Sequence, residues 1–174
     1  MSSSPDSVRL HTLAPHHLPG LLAVQLACYG AGFIETSDVF ARRIASPLGC
    51  SRVLMRDGLV LAYLAAYRSR LGKVTPLHGD FETVETPDTL YLHDMAVHPE
   101  QAGLGLARRL VDAVLAVARA ERLPHAALVA VQGAQGYWAR HGFVAARLPE
   151  AGQRARLAAY GDDAVYMTCR LAPH

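Results

Sequence analysis

The chain has 174 residues, close to one domain at roughly 100–200 residues per domain. With 51% hydrophobic and 18% charged residues it is not a disordered chain, and a formal charge of +2 is too small to point to nucleic acid. Cys28, Cys50 and Cys169 show no paired spacing, so neither a zinc site nor a disulfide framework is expected, and a reduced, cytoplasmic setting is the simplest reading.

Residues 1–7 are polar and read as a flexible N-terminus without the basic and apolar regions of a signal peptide. A single domain is expected over residues 8–174. Val8 to Leu13 reads as a strand, and Ala14-Pro15 opens a helix to about Cys28 with Leu18, Leu21, Leu22 and Leu26 on one side. Tyr29-Gly30-Ala31-Gly32-Phe33 is a flexible break. Ser37-Asp38 is placed to cap a second helix, Val39 to Ala45, closed by Pro47 and Gly49. Arg52 to Arg56 and Leu59 to Arg68 are strand-like runs joined by Asp57-Gly58, a strong hairpin signal. Leu71 to Thr89 reads as a long loop of the kind that is often functional.

Leu90 to Val97 is an apolar strand, followed by a helix from Gly103 to Glu121 with Leu106, Leu110, Val111, Val114, Val117 and Ala118 on its apolar stripe. Ala126 to Val131 is a strand, Ala134 to His141 a short helix ended by Gly142, and Phe143 to Ala146 another strand. Residues from Pro149 to Asp162 read as a loop with at most a helical turn, and Ala164 to Leu171 as the last strand. The predicted order is β-α-α-β-β-β-α-β-α-β-β, a mixed α/β chain. Its helices are charged too regularly and are too short to span a bilayer, so no membrane association is expected.

The most informative segment is Val97-His98-Pro99-Glu100-Gln101-Ala102-Gly103-Leu104-Gly105-Leu106-Ala107. It joins an apolar strand to an amphipathic helix through two glycines. Such a turn lets backbone approach a ligand, and the helix start offers unpaired N–H groups to a phosphate. A P-loop would need a following Gly-Lys-Ser/Thr, and a dinucleotide fingerprint would need Gly or Ala at Arg108. Neither is present, which leaves a coenzyme A pyrophosphate cradle or a plain strand–turn–helix.

The segment resembles motif A of the GNAT acetyltransferase superfamily, Gln/Arg-x-x-Gly-x-Gly/Ala after a Val-x-Pro-Glu lead-in. Gly105 and Ala107 match; Ala102 departs from the Gln/Arg position, with Gln101 one place early, and Leu104 stands where a basic residue is common. Ala134 to Phe143 is similar to motif B, Ala-x-x-x-Tyr-Glu-Lys-x-Gly-Phe, with Arg140 for Lys and Trp138 for Tyr. The resemblance implies the GNAT fold, a mixed and mostly antiparallel sheet flanked by helices. It also implies acetyl-coenzyme A as cosubstrate with no metal. Cofactor contacts are then expected from Met95, Ala96 and Val97 on the strand, from Ala102, Gly103, Leu104, Gly105, Leu106 and Ala107 at the turn, and from Gln132 and Trp138. Met95 and Val97 should offer main-chain hydrogen bonds to the pantetheine arm, like an added strand.

Transfer to an amine needs a base, because alkylamines are protonated near pH 7. His93 is a candidate, since histidine as a residue type changes charge near neutral pH. Strand alternation puts Tyr91 with His93 on one face and Asp94 on the other. The strand Tyr91 to His98 resembles the His-Leu-His-x-Leu-Ala-Val-His strand of arylalkylamine N-acetyltransferases, with Tyr91 in place of the first His; Asp94 also matches the acidic pair of polyamine and glucosamine enzymes. In many relatives the motif B tyrosine protonates the departing thiolate. An indole cannot do this, which leaves Tyr137, directed elsewhere on the helix, water, Tyr160 or Tyr166. Tyr29, Phe33, Ile34, Glu35 and Phe40 resemble the substrate side of the arylalkylamine enzymes. They imply an aromatic pocket with Glu35 free to attract a cation, or alternatively core packing.

The resulting expectation is N-acetylation of a small primary amine by direct attack in a ternary complex. The rivals are acetylation of a protein N-terminus or lysine, and a non-catalytic coenzyme A-binding regulatory module. Dimers are frequent in the superfamily, and the sequence leaves a homodimer open.

Overall fold

A computed structural model describes residues 7–30 and 34–172. The expectations for residues 1–6, for the Ala31-Gly32 hinge and for Phe33 lie outside the described residues. The chain forms β1 (Arg9–Thr12), α1 (Leu18–Tyr29), α2 (Ser37–Ala45), β2 (Arg52–Arg56), β3 (Leu59–Ser69), β4 (Thr89–Val97), α3 (Leu106–Ala120), β5 (His125–Ala130), α4 (Gln135–Ala139), β6 (Val144–Ala145), α5 (Ala151–Ala158) and β7 (Val165–Arg170). Short 3₁₀ turns at Pro15–His17 and Pro99–Gln101 lead into α1 and the glycine turn.

The predicted order holds, with one addition. The stretch after Pro149 forms a two-turn helix, α5, where the sequence reading allowed at most one turn. The cap of α2 also shifts. Thr36 is extended and its side chain accepts from the Val39 amide at 3.4 Å, so Ser37 and Asp38 lie inside the first turn. The Asp57-Gly58 hairpin forms as read. Both residues have positive φ, 52° and 77°, which fits the twist of a two-residue hairpin turn.

Seven strands form one sheet in the order β1-β2-β3-β4-β5-β7-β6. Only β4 and β5 run parallel; the other neighbours are antiparallel. β3 sits near the middle and is buried from Leu61 to Tyr67. A strand covered on both faces needs such a continuous apolar run.

Two cores flank the sheet. On one face α3 lays Leu106, Leu110, Val111, Val114, Leu115 and Ala118 on Leu54, Leu64, Leu90 and Leu128, with Trp138 and Phe143 closing the end. On the other face α1, α2, α5 and the loop before β4 cover Tyr63, Tyr67, Tyr91 and Tyr166. That loop is well anchored. The Val74 amide donates to Gln153 of α5, Arg156 donates to the Val74 carbonyl, Tyr160 donates to the Thr75 carbonyl, and Phe81 stacks on Tyr67 at 4.0 Å.

Two departures in β4 matter for function. Leu92 pairs with Ala66 and Asp94 with Ala65, so His93 is an extra residue without a partner, a β-bulge. The ladder between β4 and β5 runs from Thr89 with His125 to Leu92 with Leu128 and stops there. Beyond it β4 stays with β3, while Val129 and Ala130 stay with β7. A wedge therefore opens between two parallel strands in the middle of the sheet.

Leu110 is fully buried where α3 meets the sheet. Leu110→Ala should destabilise the fold by about 2–5 kcal/mol, seen as a lower urea midpoint at unchanged slope.

Candidate active site

The bulge changes which side chains meet. Strict alternation would put His93 and Asp94 on opposite faces. The extra residue puts both on the face of Tyr63 and Tyr91: Asp94 lies beside Ala65 and accepts a hydrogen bond from the Tyr63 hydroxyl at 2.5 Å. His93 stacks beside Tyr91, with ring centroids 6.4 Å apart, and meets the edge of Phe81 at 5.8 Å. The expectation that Asp94 points away from His93 is thus corrected.

Glu35 is corrected as well. It is 3% exposed and grips Arg43 of α2 through both oxygens, at 2.7 and 2.5 Å. His93 Nε2 lies 3.0 Å from Glu35 Oε1. Gln25 of α1 clamps the backbone of Glu35 from both sides, donating to its carbonyl at 3.0 Å and accepting from its amide at 3.1 Å. Arg43 spends its remaining donors on the Gly79 carbonyl and sits 5.1 Å above the Phe81 ring. Glu35 therefore neutralises Arg43 and holds His93, and no free carboxylate remains there to attract a cation. Burial by itself would raise the Glu35 carboxyl, but hydrogen bonds and charge from His93 and Arg43 outweigh it and hold it well below the usual carboxylate range.

Asp94 is the contrasting acid. Burial raises its carboxyl above the usual value, against the opposing influence of His93 and the Tyr63 hydroxyl. Burial and the Asp94 charge together push the Tyr29 and Tyr63 phenols up. The Tyr29 hydroxyl donates to the Met95 carbonyl, and Cys28 Sγ lies 3.0 Å from the Val97 carbonyl. Within a strand residue the N–H and C=O point to the same side. The Met95 and Val97 amides thus face away from β3, into the wedge.

A cavity of about 270 Å³ fills the wedge. Its acceptor side is formed by Tyr29, Glu35, Leu77, Tyr91, His93, Asp94 and Tyr160, and its other side by Met95, Leu128, Gln132, Ala134 and Trp138. A second cavity, of about 530 Å³, lies over the glycine turn against Val97, Gln101, Ala102, Gly103, Gly105, Leu106, Ala107, Arg108, Arg140 and His141. Tyr137 lines both, and its hydroxyl is buried without a hydrogen-bond partner. Burial raises this phenol, against the opposing charge of Arg140, so it stays protonated at neutral pH. Tyr137 is therefore directed at the cavities, contrary to the expectation from helix geometry. Trp138 packs against Phe143 at 5.7 Å and walls the inner cavity.

The glycine turn has the geometry a phosphate needs. Gly103 and Gly105 have φ of 83° and 73°, and a Cβ at either would meet nothing within 4 Å. The backbone is therefore open to an incoming group. Gly105 caps α3 in the left-handed conformation, and the first amides of α3 have no acceptor within the helix. Gln132 and Gly133 both have positive φ, 53° and 75°. The resulting tight turn, closed by the Ala134 amide on the Val131 carbonyl at 3.0 Å, aligns Gln132 with the wedge.

Other expected residues fall elsewhere. Phe40 is buried in the core, edge-on to Tyr63 at 5.9 Å, and does not line the cavity; neither does Ile34. The backbone of Ala96 is paired with Tyr63 and its side chain is buried, so it offers the wedge nothing. Leu104 is exposed at the tip of the turn. Gln101 donates no help at position 102, because its side-chain oxygen already accepts from Arg56 at 2.5 Å. Tyr166 accepts from the Gly72 amide away from the cavity, and Tyr160 spends its proton on Thr75. Arg43 and Leu77 were missed by the sequence reading; they come from elements distant in the chain, and no local pattern marks them. Arg140 and His141 lie in the motif B segment but were not expected to line the site. Among the described residues no group of three or more His, Cys, Asp or Glu side chains is placed to hold a metal, and no helix is long and apolar enough to cross a membrane.

A splayed parallel strand pair and a glycine turn at a helix start are the features by which an acyltransferase can seat a coenzyme A thioester. The chain belongs to the acetyltransferase (GNAT) family, whose model matches residues 23–143; it is an N-acetyltransferase dependent on acetyl-coenzyme A. No curated protein matches it in sequence. The fold is similar to that of the ribosomal-protein-S18-alanine N-acetyltransferase from Escherichia coli, at 16% identity and a TM-score of 0.68 over 97% of this chain and 96% of that one. It is similar to N-acetylglutamate synthase from Neisseria gonorrhoeae, bound to coenzyme A and N-acetyl-glutamate, at 18% identity and a TM-score of 0.71 over 95% of this chain and 35% of that one. A GNAT acetyltransferase from Brucella melitensis in complex with acetyl-CoA aligns at 19% identity and a TM-score of 0.61, covering 96% and 90%.

Arg43→Met strands the buried Glu35 carboxylate and should cost about 3–5 kcal/mol at pH 7. Glu35→Leu with Arg43→Met, which removes both charges, should recover most of that loss. Because the folded Glu35 carboxyl is depressed, its stabilisation is complete above the usual carboxylate range and is withdrawn as pH falls below it. The single variant's deficit in urea melts should therefore shrink towards acid.

Proposed function

We propose that the protein acetylates a small primary amine by direct attack in a ternary complex. The observation that carries this reading is the compact acceptor side of the wedge, flanked by Leu77 of a loop that Gln153, Arg156 and Tyr160 pin. A protein N-terminus needs a long groove, whereas a pocket of this size suits a small molecule. Its aromatic wall of Tyr29, Tyr91 and Tyr160 suits an amine with a hydrophobic tail. Polyamines and aminoglycosides would have to shed water from several charges to enter.

In this reading the pyrophosphate rests on amides from Ala102 to Ala107, and the pantetheine arm runs along the wedge edge of β4. The Met95 and Val97 amides and Gln132 hold that arm and leave the thioester beside the bulge. His93 takes the proton from the ammonium. Glu35, on Nε2, fixes the imidazole tautomer so that Nδ1 is the basic nitrogen. The neutral amine attacks the thioester carbonyl carbon. The C–N bond forms, the C–S bond breaks, the thiolate takes the Tyr137 hydroxyl proton, and the second proton shed by the nitrogen as the amide forms passes through solvent to restore the phenol. The free, buried hydroxyl of Tyr137 supports this assignment over Tyr160, whose proton is already engaged.

Acetyl-coenzyme A turnover over a panel of phenethylamine-like amines, spermidine and a peptide N-terminus tests the reading; preference for the peptide would defeat it. His93→Ala should lower the rate by roughly 10²–10⁴ and flatten the acidic limb of the pH–rate profile. Tyr137→Phe should lower kcat by roughly 10²-fold with little change in KM for acetyl-coenzyme A. Gly105→Val combines a left-handed backbone strained by about 1–2 kcal/mol with a side chain in the open approach. Calorimetry should show weaker coenzyme A binding.

A further inference from the structure

Resting on the small-amine reading, we infer that the acceptor carries no carboxylate next to its amine, and that Asp94 is the anion that receives its ammonium group. The protein would then take a decarboxylated amine and reject the parent α-amino acid.

The argument is a charge count around the wedge. None of the described residues lining the inner cavity is Lys or Arg. The guanidinium behind Glu35, on Arg43, is 1% exposed and has all three nitrogens bonded to Glu35 or the Gly79 carbonyl. His78 lies on the far side of Glu35, 3.9 Å from its Oε2, and does not line the cavity. Glu35 and Arg43 cancel, and His93 must be neutral to accept a proton. Asp94 remains as the acid of the described wall that no guanidinium pairs, held by the Tyr63 hydroxyl with the Tyr29 hydroxyl beside it. The cations Arg108 and Arg140 belong to the outer cavity, across Tyr137.

An ammonium entering this wall meets an opposite charge, which also returns Asp94 to its ionised form. An α-carboxylate meets the reverse. Its carbon is two bonds from the attacking nitrogen, so it must enter the wedge whenever that nitrogen reaches the thioester, whichever way the tail points. There it would sit desolvated beside Asp94 with no cation to pair with.

The test compares kcat/KM, followed by coenzyme A release, for phenethylamine, phenylalanine and phenylalaninamide. The amide keeps the bulk of the amino acid and removes its negative charge. The expected order is phenethylamine, then phenylalaninamide, with phenylalanine lower than phenethylamine by roughly 10²-fold or more. Asp94→Asn should raise KM for phenethylamine, leave KM for acetyl-coenzyme A unchanged and narrow the gap to phenylalanine. Phenylalanine turned over within tenfold of phenethylamine would overturn the inference while leaving the small-amine reading intact. Rejection of phenylalaninamide as strong as that of phenylalanine would make the exclusion one of size and overturn the charge argument. An Asp94→Asn variant with unchanged KM and an unchanged gap would remove Asp94 from the recognition. Turnover of peptide N-termini alone would overturn both readings.

Discussion

One extra residue in one strand sets the geometry of the site. His93 has no partner on β3, and the ladder to β5 ends at Leu92, one residue before it. A bulge adds local twist, and here the parallel pair parts at the same place. The wedge exposes main-chain groups of β4 that a regular sheet would bury in pairing. It also delivers two consecutive titratable side chains to one face. Without the bulge, Asp94 would enter the packed core under α3, where a carboxylate has no partner.

The surroundings of the bulge explain how two acids close together take opposite characters. Glu35 gains two guanidinium hydrogen bonds and one imidazole contact, so its charge is balanced and fixed. Asp94 gains a phenol, and burial dominates. A buried ion pair contributes little net stability, but losing one partner is costly. Its use here is positional: α1 through Gln25, α2 through Arg43 and β4 through His93 all converge on Glu35.

Division of labour follows the sheet. One face carries α3 and the glycine turn, whose open backbone and helix start suit an anionic cofactor. The other carries an aromatic, acidic pocket under a loop held by α5. Tyr137 stands between the two cavities with a hydroxyl that nothing else uses. An unpaired buried hydroxyl carries a penalty in the folded protein, which is relieved when a ligand atom arrives to accept its proton.

Much of this was legible in the chain. Hydrophobic periodicity gave the seven strands and the main helices, because burial repeats every two or 3.6 residues whatever the neighbours are. Local chemistry gave the Asp57-Gly58 hairpin and the glycine turn, since positive φ is a property of the residue itself. What escaped was long-range. The pairing offset that makes His93 a bulge exists only when β3 lies alongside β4. Glu35 meets Arg43 and His93 only after α2 has docked. Phe40 falls in the core and Tyr137 points otherwise than helix geometry implied, because direction on a short segment depends on what packs against it. The sequence alone determined the elements, the family and the cofactor turn, all encoded in contiguous residues; tertiary structure decided which charges are spent and which remain free, because that depends on contacts such as Glu35 with His93, 58 positions apart.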